Sequence, residues 1–195
     1  FVYAGNMKTS PSEAQMRADG TGLPGRHEAL VLLAKSLPGM SQIRTQLHGV
    51  TGVWQPADYL PDFAQPDVHE RIDDIRKRAA GLPRDLLYAL AGNVLTEEGL
   101  PLFAVQLESI DVPKHGPEAE EAARLKEWFR MWAGEENRHG DLLTGYLTYS
   151  GRFDMKAFQA STQQFLQDGK DVQTGSDAFE GFAYTSFQEL ATQRA

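Results

Sequence analysis

The chain contains no cysteine. Disulfides, thiolate metal sites and cysteine nucleophiles are therefore excluded. Any metal must be held by imidazole and carboxylate, a donor set that suits iron, manganese or zinc. No apolar run approaches the roughly 20 residues needed to cross a membrane as a helix. Alternating strand patterns, hairpin turn signals and internal repeats are also missing. Basic residues are in deficit: 19 Lys and Arg face 27 Asp and Glu, for a formal charge of −8. That balance argues against a nucleic-acid partner held through its phosphates. With 195 residues, 41% hydrophobic and 24% charged, the chain suits one globular domain with a substantial core. It begins at Phe1 rather than Met. It is read as a processed or incompletely represented product, in which no signal or transit peptide can be recognised.

What is present is helical periodicity. Residues 1–25, rich in Gly, Ser, Thr and Pro, read as an extended N-terminal arm, and 26–195 as the folded domain. Gly20, Gly22 and Gly25 have no strand before them and no Gly-Lys-Ser/Thr after them, so they read as linker and not as a phosphate loop. A helix is expected over 26–48, disturbed at Pro38-Gly39. Residues 49–67 form a connector whose prolines exclude a regular helix and whose aromatics require it to pack down. A short charged helix over 66–80 follows. Three long helical segments then carry the core: 83–110, 117–150 with Gly151 as the stop, and 177 onward, with a small helix near 154–167. The class is all-α.

One helix line carries chemistry. Leu125, Phe129, Trp132, Glu136, His139, Leu143 and Tyr146 recur at alternating steps of four and three, so they share one stripe. A carboxylate and an imidazole, one turn apart, interrupt an apolar face. An unpartnered buried carboxylate is costly, so this placement asks for a cation. In the segment before it, Leu87, Leu90, Val94, Glu97, Pro101 and Ala104 form a second line broken by Glu97. Pro101 leaves the Glu97 carbonyl without a helical donor, so a kink is expected there. Glu98 is an alternative inward residue, and both glutamates facing solvent is the plain alternative. In the last segment Phe179, Phe182, Ser186 and Glu189 form a third line, flanked by Thr185 and Thr192. A Glu, a Glu-x-x-His and a Glu from successive helices follow the order of ferritin-like di-metal bundles, in which two helices each supply a Glu and two each supply Glu-x-x-His. His27, His48, His69 and His115 read as surface residues. Arg76, Lys77 and Arg78 form a basic group that is either a solvated helix face or a dock for an acidic partner.

Four separated motifs, in order, resemble one family. They are Trp54-Gln55-Pro56 with Asp58-Tyr59-Leu60-Pro61-Asp62, then Leu95-Thr96-Glu97-Glu98-Gly99-Leu100-Pro101. Next comes Trp132-Ala133-Gly134-Glu135-Glu136-Asn137-Arg138-His139-Gly140-Asp141-Leu142-Leu143 with Ser150-Gly151-Arg152-Phe153-Asp154-Met155. The last is Tyr184-Thr185-Ser186-Phe187-Gln188-Glu189. From about residue 53 onward the chain resembles the soluble plastid acyl-carrier-protein desaturases, the stearoyl-acyl-carrier-protein desaturase family of the ferritin-like di-iron superfamily. The resemblance implies a ferritin-like helical bundle, incomplete here and ending within its third ligand-bearing helix. It implies that Glu97, Glu136, His139 and Glu189 are four of six iron ligands. It makes Thr192 similar to the family's active-site threonine, and Trp54 similar to a tryptophan on its electron route. The implied activity introduces a cis double bond into a saturated chain on acyl carrier protein, using a di-iron centre, oxygen and ferredoxin electrons in the plastid stroma.

The chain departs from the family pattern in two places. The second Glu-x-x-His does not occur within it, and Leu102-Phe103-Ala104-Val105-Gln106 replaces a more polar stretch. Three helices of such a bundle leave an apolar trough that more chain, a homodimer mate or a larger plastid assembly must cover. Two readings follow: an enzyme with Arg76, Lys77 and Arg78 meeting the carrier protein, or a non-catalytic, desaturase-derived structural subunit of an assembly such as a photosynthetic membrane complex. Another ferritin-like oxidase is a weaker third.

Overall fold

A computed structural model of the chain describes Lys35 and residues 51–194, apart from 111, 113, 114, 116, 117, 170 and 176. The expected arm over 1–25 lies outside the described residues, as does the helix over 26–48 apart from Lys35, which is helical and exposed. Every regular element described is an α-helix: α1 Pro56–Tyr59, α2 Val68–Ala80, α3 Arg84–Glu98, α4 Leu100–Glu108, α5 Glu118–Ser150, α6 Met155–Asp168 and α7 Ala178–Arg194. The fold is all-α, as the periodicity predicts, and consistent with the ferritin-like bundle that the resemblance implies. Among the described residues no helix is long and apolar enough to cross a membrane.

Helix α5 organises the rest. Its 33 residues make a rod about 50 Å long, and α1, α2, α3 and α4 all pack along it. At one end of the rod, Leu100, Phe103, Leu107 and Ile110 meet Ala122, Leu125, Phe129, Trp132 and Ala178 in the main core. Toward the other end the buried residues are Val68, Ile75, Ala79, Leu87, Val94 and Leu147. The Glu136–His139 segment of α5 lies between these two apolar blocks. The apolar stripe of α5 is accordingly buried at Leu125, Phe129 and Trp132 and half-buried from Glu136 to Tyr146.

The breaks between elements have local causes. α3 ends at Gly99, whose N–H donates to the Leu95 carbonyl at 3.1 Å. This break rephases the chain, and the expectation that Pro101 faces inward is corrected. Pro101 is exposed and Ala104 half-buried, while Leu100, Phe103 and Leu107 are buried. The connector also departs from expectation. It contains the single turn α1, because proline is tolerated at a first helical position and Gln55 N–H donates to Asp58 Oδ2 at 2.7 Å.

At the far end of α5, Gly151 takes φ +65°, the left-handed conformation that terminates helices at little cost for glycine. The turn sends Arg152 back to α2, where its guanidinium donates to the carbonyls of Ala79, Ala80 and Leu82. Those are carbonyls at and just past the C-terminus of α2, where a cation complements the helix dipole. Asp154 caps α6 by accepting from Ala157 N–H at 3.1 Å. Asp177 likewise caps α7, accepting from Phe179 and Glu180 N–H at 2.8 and 3.1 Å.

Helix α7 is attached chiefly through its first turns. Ala178 and Gly181 are buried. Phe182 packs on Phe129 with centroids 5.7 Å apart, and Tyr184 packs edge-on to Phe103 at 5.3 Å. Further along, Phe187 is 72% exposed.

Candidate metal centre

Glu97 from α3 meets Glu136 and His139 from α5, with one ligand atom of each lying within 4.8 Å of the others. All three side chains are half-buried. Two packing details hold the helices at this distance. Val94, one turn before Glu97, is 1% exposed and anchors α3. Opposite Glu97 stands Gly140, where a Cβ would lie 3.2 Å from Glu97 Cβ. The contact atom is the first side-chain carbon and cannot rotate away, so any larger residue must push α3 and its carboxylate outward.

Gly140→Ala is therefore expected to weaken divalent-metal affinity by about tenfold, the low end of the loss seen when residues supporting a metal site are changed. Gly134→Ala meets nothing within 4 Å. It should leave affinity unchanged and raise stability by up to about 1 kcal/mol through helix propensity. Calorimetric titration with ferrous or cobaltous ion, beside thermal unfolding, compares the two. Equal affinities for both variants would contradict the argument.

The electrostatics favour a cation. Glu136 Oε2 lies 2.5 Å from His139 Nδ1. That oxygen is buried, and among the described residues the His139 ring is the one group that meets it. A buried carboxylate oxygen in that state is costly unless a positive charge meets it. The residues present therefore fit a metal ion, with two carboxylates and one imidazole as its donors.

Hydrogen-bonding attraction to the Glu136 carboxylate raises the His139 pKa above its ordinary value. Burial lowers it, and the charges of Glu136, Glu97 and Glu189 raise it again. Since the folded value is the higher one, protonated His139 stabilises the metal-free fold fully below about pH 6.5. That contribution is lost as pH rises through the raised value. In metal-free protein the His139 ring should titrate above the ordinary histidine range, and Glu136→Gln should bring its NMR midpoint down. An unmoved midpoint would show that the carboxylate does not control the ring.

Trp54, from the connector, stacks on His139 with ring centroids 5.6 Å apart and planes 9° from parallel. Glu189 stands outside the Glu97–Glu136–His139 group: it is exposed on α7, and its charge still reaches His139. Thr192 is half-buried. Its hydroxyl donates to the Gln188 carbonyl at 3.1 Å and accepts from Gln188 Nε2 at 3.4 Å. Arg76, Lys77 and Arg78 are exposed on α2, and Arg78 pairs with Asp74 at 2.9 Å. His69 and His115 are exposed, and His27 and His48 lie outside the described residues. Sequence reasoning took Glu136 and His139 from the Glu135–His139 run and passed over Arg138, which contacts Trp54. The only signal for it was its place in that run.

A sequence profile described as fatty acid desaturase matches residues 33–195. The chain is 39% identical over 196 residues to the chloroplastic stearoyl-[acyl-carrier-protein] 9-desaturase of Gossypium hirsutum, covering 96% of this chain and 47% of that protein. The stearoyl-[acyl-carrier-protein] 9-desaturase of Spinacia oleracea is 41% identical over 160 residues, covering 81% and 40% respectively. The palmitoyl-[acyl-carrier-protein] 4-desaturase 3 of Ophrys sphegodes is 40% identical over 163 residues, with the same coverage. The chain thus spans less than half the length of these relatives.

Proposed function

The chain belongs to the fatty acid desaturase family, and from that premise we propose that the complete protein is a plastid acyl-carrier-protein desaturase with a di-iron centre. The observation that carries this reading is the convergence of Glu97, Glu136 and His139 at one point of the bundle. Glu97, Glu136 and His139 would hold iron, and Glu189 would join them as a fourth ligand from α7. When bound, the iron pair supplies oxygen activation. The net reaction removes two hydrogens from adjacent methylenes and consumes one oxygen molecule, two electrons and two protons, forming a cis double bond and two waters.

The chain's own residues have separable tasks. Glu136 and Glu97 supply negative charge to a half-buried site, and His139 must be neutral to ligate. Its raised pKa means that metal binding displaces a proton. Trp54, stacked on His139, would pass electrons from ferredoxin to the site. Thr192, one turn beyond Gln188, is the proposed active-site threonine. Arg76, Lys77 and Arg78 are the exposed basic group for an acidic carrier protein. A homodimer is the assembly proposed, in the plastid stroma.

The test is direct. The complete protein, supplied with iron, reduced ferredoxin, oxygen and stearoyl- or palmitoyl-acyl carrier protein, should hold two irons per chain and release a cis-monoene detectable by gas chromatography with mass spectrometry. Neither iron nor monoene would overturn the reading. That outcome would favour a non-catalytic structural subunit of a larger plastid assembly, for which Val105 and Phe187, 69% and 72% exposed, offer contact surface.

A further inference from the structure

Trp54 lies in the connector, two residues before the single turn α1, where no regular backbone ladder fixes its position. Its indole nonetheless lies within 9° of parallel to the His139 ring. One neighbouring ring, Tyr59, meets it edge-on at 5.8 Å, but Tyr59 is itself 60% exposed and makes a poor anchor. The strong anchor is Arg138. Its Nη1 donates to the Trp54 carbonyl at 3.1 Å, and its guanidinium carbon stands 5.0 Å from the centroid of the same indole. One side chain thus holds both the backbone and the ring of Trp54.

The side chain of Arg138 is only 14% exposed, so its charge has been taken largely out of water. The guanidinium lies 3.9 Å from the Glu135 carboxylate on the same helix, and its other polar contacts go to the Glu135 and Trp54 carbonyls. Nε donates to the Glu135 carbonyl at 3.2 Å, which fixes the root of the guanidinium on α5 and aims the rest at Trp54. This fork geometry belongs to arginine. A lysine offers a compact ammonium that cannot span carbonyl and ring together. Leu60, in the same connector, is seated over Gly145, where a Cβ would overlap its methyl. The connector is therefore pressed onto α5 at two points, and Arg138 governs the one next to His139.

We propose that Arg138 is a positioning residue that clamps the Trp54 indole against the His139 ring. The clamp stands on geometry alone; its consequence for electron delivery rests on the desaturase reading. In the complete protein labelled at histidine Cε1, the stacked indole displaces the His139 ring proton upfield, and Trp54→Leu removes that displacement and assigns it. Arg138→Gln should remove most of the displacement, and Arg138→Lys should restore only part. A fold-only role predicts something else: a lower melting temperature with the His139 resonance left where it was, and that result would overturn the clamp. In the iron-loaded protein, Arg138→Gln should slow reduction by ferredoxin as much as Trp54→Leu does, at unchanged KM for the acyl substrate, and the double variant should be no slower than Trp54→Leu. Loss of the upfield displacement with reduction unimpaired would keep the clamp and overturn its link to electron delivery.

Discussion

Glu136→Gln should abolish tight ferrous-ion binding while leaving the fold intact. Glutamine has the size of glutamate but no charge, and residue 136 carries a buried carboxylate oxygen in contact with the His139 ring. Its side chain is 13% exposed, against 42% for His139, so water compensates little for the lost carboxylate. Outer residues around a metal typically change affinity by 10- to 100-fold, and a direct donor should cost no less than about 100-fold. Thermal unfolding of the metal-free variant should stay within about 1 kcal/mol of the parent, because an isosteric change opens no cavity. Glu98→Gln is the matched control. Glu98 Oε1 accepts from Thr144 Oγ1 at 3.3 Å and stands outside the metal group, so its loss should leave affinity unchanged. Ferrous titrations of the two variants giving the same affinity would remove the basis for the proposed centre.

Phe129→Ala should cost about 3–5 kcal/mol. The ring is 1% exposed, stands edge-on to Trp128 at 5.7 Å and meets Phe182 of α7 at 5.7 Å. Its removal leaves a void and also loosens the helix that carries Glu189. Against a usual total of about 5–15 kcal/mol, this is a large share of the stability. Urea unfolding should show a lower midpoint with the slope unchanged. Phe187→Ala, on the same helix as Phe182 but 72% exposed, should stay within about 0.5 kcal/mol. Equal losses for the two phenylalanines would mean that α7 is not packed as described.

Much of the arrangement was legible from periodicity. The α5 stripe has the spacing of one helix face, and a face of Leu125, Phe129 and Trp132 can only be stable when covered. The stop at Gly151 and the small helix starting near 154 follow from residue types with local backbone consequences. Where the reading of the α3–α4 line failed, the cause was also local. A continuous helix carries Pro101 inward, but the interruption at Gly99 turns the chain so that Phe103 and Leu107 take the buried positions. Pro56 was judged by its cost inside a helix and not by its tolerance at a first turn.

By itself the sequence determined the all-helical class, the absence of thiolate chemistry and the two α5 side chains that interrupt an apolar face. These are properties of single segments, set by spacing and side-chain type. Periodicity left Glu97 and Glu98 open and the family resemblance pointed to Glu97; the tertiary structure brings Glu97 to the metal group through the rotation of α3 against α5 and the missing side chain at Gly140. It alone placed Trp54 on His139 and set Glu189 apart from the other three. Contacts between segments far apart in the chain are decided by how closely helices approach, and no spacing within one helix encodes that distance.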